Sequence, residues 1–183
     1  MIFINVITRI LVTLRERGHR QYGEDVTELE HALQAAMLAT RRGETPDLVA
    51  ACLLHDYGHL LHDMGEDIAG QGVDAAHEEI GGAWLSQFFP ATVTEPVCLH
   101  VAAKRYLCWR QPDYFAGLSE ASRLSLRLQG GPMNDNEARI FARRPHAMAA
   151  VRLRQYDDAA KIPGLVTPDL TAYRDLLDSL VCD

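Results

Sequence analysis

The chain has 183 residues, 48% of them hydrophobic, enough to bury one substantial core. Its formal net charge of −7 argues against a nucleic-acid binder, because neutralising phosphates takes an excess of Lys and Arg, but it leaves room for a basic pocket that takes one small anion. Four cysteines (Cys52, Cys98, Cys108 and Cys182) lack CxxC spacing, which argues against a zinc-thiolate or disulfide framework and fits a reducing cytoplasm.

Helical periodicity runs nearly throughout. Ile2, Val6, Ile10 and Leu14 share one face. Asn5, Thr8 and Arg9 make that stretch too polar to span a bilayer, and no small-residue cleavage site follows it, so a soluble cytoplasmic protein is expected. A polar, Gly-containing loop is expected over about residues 18–26. Thr27 with Glu30 forms a capping box, opening a helix that ends near Gly43. Thr45-Pro46 opens the next helix, which runs through Leu48, Val49, Cys52 and Leu53 into His55-Asp56, with Gly58 placed to stop or bend it. A Gly- and acid-rich loop covers roughly residues 65–72. A helix with His77, Ile80, Trp84 and Phe88 closes at Pro90, and Thr94 caps one carrying Val97, His100, Val101 and Lys104. Ser119 starts another, ended by Gly130-Gly131-Pro132, and Asn134 with Glu137 repeats the capping logic. Pro145 begins the helix containing Asp157, and Thr167-Pro168 begins the last. No repeat, linker or period-2 strand pattern appears, so residues 1–183 are expected to form one all-α helical bundle of about eight or nine helices.

The chemistry centres on the adjacent pair His55-Asp56. At the end of an apolar helix, such a pair is costly unless it binds something. A carboxylate beside an imidazole can bridge two cations, and iron, manganese or zinc suits a mixed His/carboxylate set. His31, His77 and His100 each lie on a separate helix, and bundles assemble metal sites from single residues projecting inward. Taken singly, each of these histidines reads more readily as a hydrogen-bonded core residue than as a ligand. Asp157 alone reads as a surface or capping acid, with Asp158 beside it as an equal candidate. Jointly, His31, His55-Asp56, His77, His100 and Asp157 follow the order and rough spacing of the HD superfamily, and the two intermediate histidines mark its two-metal branch.

More specific segments are Tyr22-Gly23-Glu24, Leu29–Gln34, Leu53–His59, His100–Leu107, Leu128–Met133 and Arg154–Asp157. In these the chain resembles the small HD-domain di-iron oxygenases of organophosphonate breakdown, which cleave the carbon–phosphorus bond of 1-hydroxy-2-aminoethylphosphonate or its N-trimethylated analogue. The resemblance implies one iron held by His31, His55, Asp56 and Asp157, and a second by Asp56, His77 and His100. Asp56 would bridge, and Asp157 is preferred to Asp158 because it stands three residues after Arg154. It further implies a mixed-valence Fe2+/Fe3+ pair, O2 as co-substrate, and glycine or glycine betaine plus inorganic phosphate as products.

Around this set, Lys104 shares a helix face with His100 and could pair with a substrate anion, where the plain alternative is a solvated lysine. Arg154 follows the same logic, or merely holds Asp157. His59 could meet the phosphonate or support a ligand. Ser122 could donate its hydroxyl to the phosphonate, or be only a polar helix residue. The lid expected over 18–26 offers Glu24 to a cationic amine and Tyr22 to an iron or a quaternary ammonium, unless both are simply exposed loop residues. His19, His62 and His146 read as surface or structural. The expected partner is thus a small 1-hydroxyphosphonate, with no nucleic acid and no membrane. Two other functions share these ligands: a two-metal phosphohydrolase, in which the metals activate water, and a degenerate HD domain used for binding or regulation.

Overall fold

The computed structural model describes residues 5–61 and 76–182, and the backbone alone for residues 22–24. Ile2, His62, the expected loop at 65–72 and the side chains of Tyr22 and Glu24 lie outside the described residues.

Ten α-helices make up the described residues, with one hairpin and two short 3-10 turns. Helix α1 is Val6–Arg17, capped by the Asn5 side chain. Strands β1 (Gln21–Glu24) and β2 (Val26–Thr27) pair antiparallel with a register irregularity, where an irregular loop was expected. The second strand is only two residues long, too short to display a period-2 pattern.

Thr27 and Glu30 complete the expected capping box of α2 (Glu28–Arg41), and Gly43 follows it at φ +72°, in the left-handed region that glycine tolerates. Helix α3 (Pro46–Leu54) begins with Thr45 accepting from the Leu48 amide. It ends before His55, ahead of the expected stop at Gly58, and a 3-10 turn over Tyr57–Leu61 follows. Gly58 serves a different purpose, since a Cβ there would lie 1.9 Å from the His77 carbonyl oxygen. Gly58→Ala is therefore expected to push His77 out of place and to cost about 1–3 kcal/mol in a urea titration.

Helix α4 is His77–Leu85, and α5 is Ala91–Arg110. Extended Pro90 occupies the cap of α5. Thr94, expected as that cap, is buried inside the helix with its hydroxyl turned back to the Pro90 carbonyl. Pro112 opens a short α6 (Pro112–Gly117), and Ser119 caps α7 (Glu120–Leu128). The Asn134–Glu137 box starts α8 (Asp135–Ala142). Helix α9 (Ala147–Ala159) starts after His146 rather than at Pro145, because His146 at φ +62° turns the chain left-handed. The last element starts at Asp169, whose carboxylate accepts from the Thr171 amide, leading into α10 (Arg174–Asp178). No helix among the described residues is long and apolar enough to cross a membrane.

Helix α5 packs along α9, α4 and α3, while α2 packs on α3 and α9. Small residues of α2 (Ala32, Ala35, Ala36 and Ala39) and of α3 (Ala50 and Ala51) are buried in one core cluster, which favours close packing of the two helices. The same cluster holds Ile7, Ile10, Leu53, Leu54, Leu85, Val97 and Leu153. Each such side chain contributes about 1.5–3 kcal/mol when fully buried. The apolar frame holds five helix ends and faces against one polar centre.

Candidate metal centre

Asp56 leaves the end of α3 and stands between two pairs of imidazoles. Its Oδ2 lies 3.2 Å from His55 Nε2 and 3.7 Å from His31 Nε2. Its Oδ1 lies 3.3 Å from His77 Nε2 and 3.6 Å from His100 Nε2. Within the pairs, the Nε2 atoms of His31 and His55 are 3.1 Å apart, and those of His77 and His100 are 3.2 Å apart. Asp157 Oδ1 joins the first pair, 3.3 Å from His31 Nε2. The structure thus brings all six expected ligands together, in two lobes that share one carboxylate.

The tautomers decide what these short distances mean. His31 Nδ1 donates to the Ala160 carbonyl at 2.8 Å, His55 Nδ1 to Cys52 at 2.9 Å, and His100 Nδ1 to Val97 at 2.7 Å. A carbonyl only accepts, so Nδ1 carries a proton in each of these rings, and a neutral ring turns a bare Nε2 lone pair toward the centre. Lone pairs therefore face one another and two carboxylates across a nearly dry centre, with His31 and His55 at 0% exposure. Asp56 Oδ2 is buried there and accepts no hydrogen bond. Such an array is repulsive unless a cation lies within it. Donors ~2.1 Å from a shared divalent ion, at right angles, stand ~3.0 Å apart, which matches the spacing observed. His, His and Asp in one lobe, and Asp with His in the other, suit iron, manganese or zinc.

The charge balance of the bare cluster points the same way. Burial works against a proton on His55, but the Asp56 carboxylate outweighs it and raises the imidazole to about 9. Burial and the neighbouring His77 push His100 well below its ordinary value. Burial would raise Asp56, yet His55 and His77 hold it well below the usual carboxylate range. The cluster attracts positive charge even from protons, since His77 is raised beside the same carboxylate.

The local fold explains the aim of each ligand. His31 stands in the first turns of α2, and Gln34, one turn on, clamps the chain after α9 through both its amide groups to Ile162. That clamp keeps the Ala160 carbonyl against His31. His77 is the first residue of α4 and follows Ala76, which is strained at φ +46°. Asp157 receives an ion pair from Arg154 at 2.7 Å, and Arg154 also binds Asp158. The Tyr114 hydroxyl and Ser122 Oγ, each at 3.2 Å, complete the arginine's partners. Arg154 is thus ion-paired to Asp157.

Lys104 is 2% exposed, and its ammonium donates to Ser125 Oγ at 2.7 Å. Ser122 is buried beside Arg154 and Lys161, whose Nζ lies 3.4 Å from the hydroxyl. His59 does not stand over His55 as helical spacing suggests. The 3-10 turn lays its ring flat on His77 instead, 4.0 Å between centroids. There Asp56, His59 and His77 form a second group able to hold an ion. Of the histidines expected to be uninvolved, His19 is exposed and His146 half-buried. Sequence reasoning missed Lys161, Ser125, Tyr114 and Glu78. For Glu78 a signal existed, a carboxylate adjoining a candidate ligand as Asp56 adjoins His55.

Comparison with known proteins adds a lineage to this geometry. A family model described as HD domain matches residues 29–143. The chain is 46% identical over 174 residues, 94% of its length and 87% of the relative's, to the hydroxymethylphosphonate dioxygenase of Gimesia maris. It is 40% identical over 178 residues, 97% and 91% of the two chains, to the glycine-betaine-forming 1-hydroxy-2-(trimethylamino)ethylphosphonate dioxygenase of Leisingera caerulea. An uncharacterized protein of Acanthamoeba polyphaga mimivirus is 36% identical over 175 residues, 94% and 80% of the two.

Proposed function

This chain belongs to the HD-domain phosphonate dioxygenases, and from that premise we propose that it uses O2 to cleave the carbon–phosphorus bond of a small 1-hydroxyphosphonate. The substrate is 1-hydroxy-2-(trimethylammonio)ethylphosphonate or its 2-amino analogue, and the products are glycine betaine or glycine plus inorganic phosphate. One metal ion would be held by His31, His55, Asp56 and Asp157, and the other by Asp56, His77 and His100, so that both would share the Asp56 carboxylate. The observation that carries the proposal is the pairing of lone-pair-lined lobes about Asp56 with a buried ammonium, Lys104, one helical turn from His100.

Iron at these positions, as a mixed-valence Fe2+/Fe3+ pair, would supply the redox capacity that chemistry with O2 demands. The chain's own residues bind and orient. Lys104 meets the phosphonate's negative oxygens, with Ser122 and His59 as hydroxyl and imidazole partners beside it. Arg154 keeps Asp157 ionised and aimed, burial working against ionisation and the guanidinium overriding it. The hairpin within 18–26 serves as a lid, with Glu24 opposite the substrate's cationic amine and Tyr22 offering it an aromatic face.

Hydroxymethylphosphonate is the second candidate substrate, favoured by the 46% identity to the Gimesia maris enzyme. The test is phosphate release by iron-loaded protein from hydroxymethyl-, 2-amino-1-hydroxyethyl- and 1-hydroxy-2-(trimethylammonio)ethylphosphonate, with and without O2. O2-dependent release from one of the three is expected, and the preferred compound identifies the substrate. Release without O2 would point to a hydrolytic or other non-oxidative reaction, and no release with a generic phosphoester cleaved instead would hand the site to the phosphohydrolase.

A further inference from the structure

The four imidazoles around Asp56 are not held alike. Three of them give Nδ1–H to neutral main-chain carbonyls, those of Ala160, Cys52 and Val97. His77 alone has a carboxylate at that position, Glu78 Oε2 at 3.5 Å from Nδ1. Glu78 sits in the first turn of α4, immediately after His77, and is only 9% exposed. A buried carboxylate is costly, and this one stands where a surface acid of an amphipathic helix would serve the fold equally well.

The two lobes also differ in charge. The His31/His55 lobe carries a carboxylate of its own, Asp157, which Arg154 offsets. The His77/His100 lobe shares the Asp56 carboxylate and has no second one among its six-ligand set. A carboxylate set beside the outer nitrogen of a ligating imidazole, as Glu78 is beside His77, adds negative field at the ion. A neutral carbonyl does this far less.

Building on the proposed di-iron function, we propose that Glu78 is a positioning residue that acts through His77 to favour tight binding and the higher charge state of the metal in the His77/His100 lobe. When the pair is oxidised by one electron, the electron leaves for an external acceptor and the Nδ1 proton stays on the ring. Glu78 then stabilises the extra positive charge.

Glu78→Gln keeps the size and an acceptor oxygen while removing the charge, and Glu78→Asp keeps the charge on a shorter arm. The first readout is cobalt(II) titration of the metal-free protein. The second equivalent is expected to bind about 10–100-fold more weakly in Glu78→Gln, with the first little changed. The second readout is a mediated redox titration of iron-loaded protein, followed by the electron paramagnetic resonance of the half-oxidised pair. The oxidised state is expected to be about tenfold less favoured in Glu78→Gln, a shift of about 59 mV to higher potential for one electron. Glu78→Asp is expected to lie closer to the parent in both. Equal shifts in the two variants would make the role one of packing and overturn the proposal, as would full retention of cobalt affinity and potential in Glu78→Gln. A parent protein with no one-electron couple would instead overturn the di-iron function, and the cobalt result would still decide the role of Glu78.

Discussion

Asp56→Ala is expected to empty both metal positions, taking the protein from two bound metal ions to near none. Each carboxylate oxygen faces a different imidazole pair, Oδ2 toward His31 and His55 and Oδ1 toward His77 and His100. Removing the side chain strips an anionic ligand from both lobes at once. The loss should exceed the roughly 10–100-fold in affinity that removal of an outer partner costs. It also deprives His55 of the carboxylate that raises it to about 9 in the bare cluster. That pairing stabilises the metal-free fold fully below the ordinary imidazole range, and the benefit is lost as pH rises through about 9. Metal-free Asp56→Ala should thus be less stable than the metal-free parent at neutral pH, with the gap closing in alkali. Asp56→Asn is the sharper variant, because its amide offers one oxygen and can serve one lobe only. Elemental analysis is expected to give at most one metal for Asn and almost none for Ala. Near-full content in Asp56→Ala would overturn the bridging role.

Much of this centre was legible because ligand positions are fixed by helix registers, and those are written in short-range signals. The capping boxes at Thr27–Glu30 and Asn134–Glu137 both form as expected, and the His55-Asp56 pair falls at the end of the apolar α3. What escaped depends on approach between distant segments. Lys161 meets Ser122 only because the chain after α9 passes α7, 39 residues away in sequence. Tyr114 reaches Arg154 across 40 residues from α6, a short helix that the periodicity did not disclose. His59 illustrates a different loss. A 3.6-residue period puts it over His55, but the tighter 3-10 turn rotates it onto His77. Arg154 was ambiguous because the same i, i+3 offset serves a substrate contact or an ion pair. The structure gives it two carboxylates, Asp157 and Asp158.

Lys104→Ala is expected to raise the substrate KM by roughly 30-fold or more, corresponding to about 2 kcal/mol or more for a truncated buried charge pair, while leaving metal content unchanged. The lysine rises from α5 one turn beyond His100, almost fully buried, and its ammonium has the Ser125 hydroxyl at 2.7 Å. Burial first, then the positive Arg154, lowers its pKa from 10.5 to about 7. A hydroxyl is a weak partner for a buried cation, and a phosphonate anion a strong one. Two opposite pH dependences follow from that single depressed value. Anion binding needs the protonated amine, so affinity should be fullest below about 7 and fall as pH rises through it, unless the bound anion lifts the pKa. Fold stability runs the other way: the folded state holds fewer protons than the unfolded chain between about 7 and 10.5, so the contribution is present above 10.5 and lost as pH falls toward 7. The measurement is kcat/KM against pH for the parent, Lys104→Arg and Lys104→Ala, with metal content checked in each. The parent should lose activity on its alkaline limb, Lys104→Arg should hold it further into alkali, and Lys104→Ala should lack that limb altogether. An alkaline limb unchanged in Lys104→Ala would remove the lysine from substrate binding, and loss of metal in that variant would make it a support of the His100 lobe instead.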